Sequence, residues 1–147
     1  MEIKFKLNGK EIKAEAEADT ILLDFLREQG CYSVKRGCET ANCGLCTVLM
    51  NKKSVLSCSV LAVQADGQEI VTLEGMQKEA EEFGDFFANE GAEQCGFCNP
   101  AYYECICHVG RNRRANRRRN FGISGRKSLS LFRICGTDQK YFEIFEI

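Results

Sequence analysis

Long apolar runs are absent from this sequence, and its first residues do not resemble an export signal. No apolar stretch reaches the length needed to span a membrane. The opening residues, MEIKFKLNGKEIKAEAEADT, contain no apolar region after a basic segment, as a secretory signal would. We therefore expect a cytoplasmic protein in a reducing compartment, with no membrane span.

The sequence also lacks the patterns that carry substrate chemistry. It contains no nucleophile-and-base arrangement, no phosphate-binding glycine loop and no dinucleotide-binding fingerprint. Its single histidine, His108, has Cys105 and Cys107 nearby in sequence, and a metal site of these three is chemically allowed. It is not the ligand set that we favour, and we predict no catalytic residue on this chain.

Cysteine, in contrast, is abundant, with ten residues in a chain of 147. In a secreted chain of this length, such a count would indicate a disulfide scaffold. In a reducing compartment, clustered cysteines indicate metal or redox chemistry instead. The spacing of the cysteines therefore decides which class of site is present.

Residues 1–76 have the pattern of one domain that mixes strands with a helix. Apolar and polar residues alternate over 2–7, and Asn8-Gly9 is a strong hairpin signal before a second strand. Further strands are predicted at residues 46–50, 54–58 and 69–75. These elements indicate an α+β fold.

The helix of this domain is predicted between the first two hairpins. Its apolar face comprises Ile21, Leu22, Phe25 and Leu26. Asp19 or Thr20 is the expected N-cap, and Gly30 stands where a helix C-terminus is expected.

A second, helical domain is predicted over residues 77–147. Phe83, Phe86 and Phe87 recur at helical spacing opposite acidic residues, so they are expected core residues of a helix over 77–93. Beyond Pro100 no convincing amphipathic period is present.

The charge changes sign near residue 100. Residues 1–100 hold ten Lys and Arg against seventeen Asp and Glu, whereas residues 101–147 hold ten against four. The run RNRRANRRRN would suit a nucleic-acid-binding arm, because arginine neutralises phosphates. Such runs are more often solvated, and we expect no nucleic acid partner.

Four cysteines have the spacing of a plant-type 2Fe–2S site. Cys38, Cys43 and Cys46 form C-x4-C-x2-C, and Cys58 follows after eleven residues. A tight loop is expected to supply three metal ligands and a neighbouring strand the fourth. Gly37 and Gly44 would let the backbone N–H groups approach the sulfur atoms.

Two other interpretations of these cysteines stay open. They could bind zinc, or they could be buried apolar residues. Zinc sites usually combine two short-spaced pairs of cysteines, whereas here three cysteines are close together and the fourth is separate. Cys95 and Cys98 form a separate C-G-F-C. From spacing alone, this pair could be half of a zinc site, a redox dithiol or half of another cluster.

Taken together, these stretches resemble a known family, the small iron–sulfur subunits of the molybdenum hydroxylases, which is the xanthine dehydrogenase group. The resemblance rests on GCETANCGLCTV, on Cys58, on VTLEGM and on GAEQCGFCNP. It extends over residues 2–100. Ala41 departs from it, because the family usually has glycine there.

The resemblance implies a ferredoxin-like β-grasp domain and then a four-helix bundle, each with one 2Fe–2S cluster. It implies that Cys95 and Cys98 bind the second cluster and that Gln94 lies against a molybdopterin cofactor. It further implies electron transfer from molybdenum on a large molybdopterin-binding subunit, through the clusters, to an FAD-binding subunit.

The family completes its second site with a later C-R-C in GNLCRCTGY, which this sequence lacks. In the adjacent reading frame, the codons of AYYECICHV permit Leu-Ile-Met-Asn-Ala-Tyr-Ala-Met. In the same frame, the codons of RKSLSLFRIC permit Gly-Asn-Leu-Cys-Arg-Cys-Phe-Gly-Tyr. We therefore predict that residues 101–147 are an out-of-frame translation.

Two other functions stay open from the sequence. One is a stand-alone one-cluster ferredoxin that carries residues 101–147 as an unrelated extension. The other is an interaction module stabilised by zinc. About four irons per chain would indicate a subunit with both clusters and about two would indicate one cluster, whereas zinc without sulfide would indicate the zinc module.

Overall fold

The structure is a computed structural model that describes residues 1–89, 95–101 and 103. Its helices and strands are β1 (Glu2–Leu7), β2 (Lys10–Glu15), α1 (Leu22–Glu28), β3 (Thr47–Met50), β4 (Lys53–Leu56), β5 (Glu69–Val71) and α2 (Gln77–Asn89). Single 3-10 turns occupy Ser57–Ser59, Ala62–Ala65 and Leu73–Gly75. Among these described residues, no helix is both long enough and apolar enough to cross a bilayer.

The strands form one mixed sheet in the order β2-β1-β5-β3-β4. Two antiparallel hairpins, β1–β2 and β3–β4, make its outer parts. Strand β5 joins them, parallel to β1 and antiparallel to β3. The hairpin predicted at Asn8-Gly9 is confirmed, with φ values of 50° and 82° as a type I′ turn requires.

The start of α1 differs from the prediction that Asp19 or Thr20 caps it. The N-cap residue is Ile21, and no side chain caps the helix. Ile21 instead forms a β-bridge with Leu61, and the carbonyl of Val60 accepts the N–H of Leu22 at 2.8 Å. The neighbouring backbone thus satisfies a helix donor that a side chain was expected to satisfy.

The end of α1 follows the prediction. Gly30 has φ of 89° and directly follows the C-cap residue. Its N–H donates to Arg27, and the N–H of Cys31 donates to Leu26, which is the pattern of a Schellman motif. The helix therefore ends at this glycine, before the cysteine-rich loop.

The core lies between α1 and one face of the sheet. Its buried members include Ile3, Phe5, Leu22, Phe25, Leu26, Val48 and Ile70. The rings of Phe5 and Phe25 meet with centroids 5.8 Å apart. This mixed sheet with one helix packed on it confirms the predicted α+β fold.

Helix α2 and residues 95–103 lie after this domain in sequence. Phe83 is buried, as predicted, and its ring packs on Tyr103 with centroids 5.1 Å apart. The side chains of Phe86 and Phe87 lie outside the described residues, as do Gln94, Cys105, Cys107 and His108. The boundary predicted at residue 76 stays a prediction.

Candidate metal centre

The cysteine-rich loop, residues 37–46, connects the segment after α1 to β3. Cys46 directly precedes β3, and the N–H of Lys35 donates to the carbonyl of Leu45 at 3.2 Å, which closes the base of the loop. Cys58 lies in the 3-10 turn Ser57–Ser59, immediately after β4. The expectation that a strand would carry this fourth cysteine is therefore wrong by two residues, because β4 ends at Leu56.

Ser57 fixes the turn that carries Cys58 to the loop. Both its N–H and its hydroxyl donate to the carbonyl of Cys46, at 3.0 and 2.7 Å. Ser57 is fully buried, so these hydrogen bonds are shielded from water. Cys46 and Cys58 consequently lie close together, and Cys58 contributes to the raised pKa of Cys46.

Backbone N–H groups in the loop are directed at the sulfur of Cys38. Those of Cys43 and Asn42 lie 3.2 and 3.4 Å from it. Hydrogen bonds from the backbone of Cys43, Thr40 and Asn42 lower the pKa of Cys38 to about 6. The loop therefore favours a thiolate at this position.

Cys46 has the opposite electrostatic environment. Burial is the largest cause that raises the pKa of its thiol, to about 11, and the neighbouring Cys58 and Cys43 contribute. Cys43 itself accepts the N–H of Leu45 at 3.4 Å and interacts with Cys38. A metal ion that replaces the proton would remove this barrier to ionisation, because metal binding and thiol deprotonation are coupled.

Gly37 gives the loop a close approach that a larger residue would prevent. A Cβ at this position would lie 2.2 Å from Cδ1 of Leu45 and 3.1 Å from Sγ of Cys43. Further along the loop, Ala41 has φ of 52° and Gly44 has φ of 65°. Ala41, which departs from the family, therefore occupies a backbone conformation that glycine adopts without strain.

The four thiols fit a binuclear cluster. Cys38 interacts with Cys43, and Cys46 interacts with both Cys58 and Cys43. Within residues 1–89, 95–101 and 103, no group of three or more Cys, His, Asp or Glu is arranged around a single metal ion. The number and type of these four residues match the cysteine ligands that a 2Fe–2S cluster takes.

Arg36, which sequence reasoning missed, ties the loop to α1. Its guanidinium donates to both carboxylate oxygens of Asp24, at 2.6 and 2.5 Å, and to Glu39 at 3.1 Å. The hydrogen bond to Asp24 is the main reason that the pKa of Arg36 is raised. No local spacing signals a pair twelve residues apart, so only the fold reveals it.

The second cysteine pair occupies a short turn. Cys95 is exposed and Cys98 is partly buried, while Gly96 between them has φ of 66°. The turn contacts the first domain through Phe97, whose carbonyl accepts a hydrogen bond from Nζ of Lys35 at 3.0 Å. Among the described residues, no group supplies the two further ligands that a cluster would need here. The predicted cofactor contact, Gln94, lies outside the described residues.

A glycine-lined loop of three cysteines, a fourth cysteine beside it and N–H donors directed at sulfur define a domain that holds a binuclear iron–sulfur cluster. Comparison with known proteins agrees. The family model described as the 2Fe-2S iron-sulfur cluster binding domain matches residues 5–81. The chain belongs to this family.

Individual relatives are iron–sulfur subunits of oxidoreductases. The chain is 44% identical over 100 residues to the xanthine dehydrogenase iron-sulfur-binding subunit of Escherichia coli O157:H7, covering 67% of this chain and 63% of that protein. It is 43% identical over 101 residues to the nicotinate dehydrogenase small FeS subunit of Eubacterium barkeri, covering 67% and 64%. The chain thus spans less than two thirds of the length of these relatives.

Solved structures agree with the fold. A chain of quinoline 2-oxidoreductase from Pseudomonas putida 86 superposes with a TM-score of 0.72 at 33% identity, over 86% of this chain and 80% of that one. The predicted resemblance to the small iron–sulfur subunits of molybdenum hydroxylases is confirmed by these relatives.

Proposed function

We propose that this chain is the electron-transfer iron–sulfur subunit of a molybdopterin-dependent hydroxylase or dehydrogenase. The observation that supports the proposal most directly is the set of four neighbouring cysteines with backbone N–H donors directed at the sulfur of Cys38. In the proposal, Cys38, Cys43, Cys46 and Cys58 would supply the four ligands of a 2Fe–2S cluster.

The residues around these ligands set how easily the site is reduced. The N–H groups of Asn42 and Cys43 donate to Cys38, and that of Leu45 donates to Cys43. Such hydrogen bonds stabilise negative charge on sulfur, so they favour the reduced state. When bound, the cluster supplies one-electron transfer. The chain itself performs no substrate chemistry.

Two partner subunits follow from the proposal. One is a large molybdopterin-binding subunit, where substrate is oxidised, and the other binds FAD and receives the electrons. The relatives support assembly into a multi-subunit dehydrogenase, because they are named as an iron–sulfur-binding subunit and a small FeS subunit of dehydrogenases. We also propose that Gln94 contacts the molybdopterin and that Cys95 and Cys98 are half of a second 2Fe–2S site. These last roles rest on the resemblance.

Anaerobically purified protein tests the proposal. We expect a brown protein with about two irons and about two acid-labile sulfides per chain, because one site with four cysteine ligands is complete. It should give a paramagnetic signal when reduced. A neighbouring gene should encode a large molybdopterin subunit, and the protein should bind that subunit. A colourless, zinc-containing protein without sulfide would contradict the proposal. Two irons without binding to that subunit would identify a stand-alone ferredoxin instead.

A further inference from the structure

Lys35 contacts both the cysteine-rich loop and the turn that carries Cys95 and Cys98. Its backbone N–H donates to the carbonyl of Leu45, the residue before Cys46. Its side-chain ammonium donates to the carbonyl of Phe97, the residue before Cys98, at 3.0 Å. Lys35 therefore links the backbone beside Cys46 to the backbone beside Cys98.

The ammonium also lies over the ring of Phe97, with Nζ 4.4 Å from the ring centroid. A lysine has three N–H donors, so the same group can donate to the carbonyl and face the ring. Cation–π contacts of this kind are attractive even at exposed sites. Phe97 is 49% exposed, so this contact lies at the protein surface.

The backbone on either side of Lys35 is held in place. Val34 is buried, and its carbonyl accepts a hydrogen bond from the guanidinium of Arg27 at 2.7 Å. On the other side, Arg36 is joined to Asp24 by two short hydrogen bonds. The side chain of Lys35 therefore extends from a fixed base, which limits where its ammonium can reach.

We propose that Lys35 is a positioning residue that holds the Cys95–Cys98 turn against the base of the cysteine-rich loop. Its ammonium recognises Phe97 by two features, the backbone carbonyl and the ring face. If both cysteine pairs hold clusters, which rests on the proposed function, this contact helps set the separation between them.

The test measures how fast Cys98 is alkylated in the full chain with its plant-type cluster loaded. Iodoacetamide is added, samples are quenched over time, and the peptide that contains Cys95 and Cys98 is analysed by mass spectrometry. Exposed Cys95 is the internal reference, because its sulfur does not depend on docking for access. We expect Lys35→Met to raise the ratio of Cys98 to Cys95 alkylation by roughly three- to tenfold.

Two variants control for charge and for general damage. Lys35→Arg keeps a cation that can donate to the carbonyl and stack on the ring, so it should stay within about twofold of the unmodified protein. Lys53→Met removes an exposed lysine on β4 and should leave the ratio unchanged. An unchanged ratio in Lys35→Met, or equal rises in both methionine variants, would overturn the proposal. So would a failure of Lys35→Arg to protect Cys98.

A double substitution tests the partner. Phe97→Leu removes the ring and keeps the carbonyl, so it should raise the ratio less than Lys35→Met does. In the Lys35→Met background it should add little, because the contact is already lost. Full additivity would refute a direct link between the two residues. Iron and sulfide are measured on the same samples, so a failure to load the cluster counts against the proposed function and leaves the comparison of variants intact.

Discussion

The carboxylate of Glu74 accepts two hydrogen bonds from Ser33, one from its backbone N–H at 2.7 Å and one from its hydroxyl at 2.6 Å. The hydroxyl of Thr72 donates a third, also at 2.6 Å. These contacts join the turn after β5 to the segment that leads into the cysteine-rich loop.

This arrangement predicts a pH-dependent contribution to stability. Burial opposes ionisation of Glu74, but the hydrogen bonds from Ser33 and Thr72 outweigh it, and its pKa is lowered. A lowered pKa in the folded state stabilises the fold above the unfolded value of about 4.3, and this stabilisation is lost as the pH falls through the folded-state value. Glu74→Gln should therefore reduce the free energy of unfolding by about 1–2 kcal/mol at pH 7.

Urea unfolding followed by circular dichroism at pH 7, 5 and 3 measures this effect. The difference between the unmodified protein and Glu74→Gln should be the same at pH 7 and 5 and should shrink toward pH 3. Glu11→Gln, on an exposed position of β2, is the matched control and should change stability little. A constant difference at all three pH values would show that Glu74 acts through packing and not through its charge.

The close contact at Gly37 predicts a specific loss of the metal site. Gly37→Ala places a methyl group 2.2 Å from Cδ1 of Leu45 and 3.1 Å from the sulfur of Cys43, so the Leu45 side chain must move and the sulfur of Cys43 must be displaced slightly. We expect lower iron content and a destabilisation of about 1–3 kcal/mol. Leu45→Ala in the same chain should restore part of both, because it removes the closer contact.

Gly84→Ala is the control for this substitution. A Cβ at Gly84 in α2 meets nothing within 4 Å. Alanine should therefore stabilise the helix by roughly 0.5–1 kcal/mol and leave the iron content unchanged. Equal iron loss in both variants would contradict the role assigned to Gly37.

The backbone of Ala41 predicts a substitution that improves the loop. Because its φ is 52°, the side chain adds strain of about 1 kcal/mol that glycine would not. Ala41→Gly should therefore maintain or raise the melting temperature, despite the greater freedom of glycine in the unfolded chain. Ala14→Gly, in the interior of β2, should lower it. A lower melting temperature for Ala41→Gly would contradict this prediction.

Cysteine substitutions separate ligands from core residues. Cys58→Ala should abolish binding of the plant-type cluster, because it removes one of four thiolates. Cys31→Ala should keep about two irons per chain, because Cys31 is a buried core residue outside the proposed ligand set and its loss affects packing. Iron and sulfide analysis distinguishes the two results. Normal iron in Cys58→Ala would exclude Cys58 as a ligand.

Residues 101–147 lead to a prediction about the reading frame of the gene. The nucleotide sequence around codon 101 should encode the missing C-R-C in the adjacent frame. Restoring that frame should raise the iron content from about two to about four per chain, because a second site with four cysteine ligands becomes complete. An intact frame with no such motif beside it would rule out the out-of-frame translation.

Local signals predicted much of the first domain. The turn at Asn8-Gly9 and the helix end at Gly30 depend on backbone conformations that few residues adopt, so the sequence marks them clearly. The cysteine spacing is equally local. These features involve residues close together in the chain, where propensity and spacing carry the information.

Contacts between distant residues could not be predicted in the same way. Ser33 meets Glu74, and Lys35 meets Phe97, only after the sheet and α1 have brought their segments together. The missing side-chain cap on α1 has the same origin, because Val60 provides an acceptor from a remote part of the chain. Contacts between distant residues thus fix the position of the loop, whereas the cysteine spacing in the sequence predicts its metal-binding role.

The parallel pairing of β1 with β5 has a consequence for the order in which the protein is made. All four proposed ligands lie between these two strands in the sequence, at positions 38 to 58, while β5 ends at Val71. During synthesis, the cysteines leave the ribosome before the centre of the sheet can close behind them. Iron that arrives during synthesis therefore meets a cysteine-rich loop without the finished sheet behind it, whereas iron that arrives later meets the complete domain.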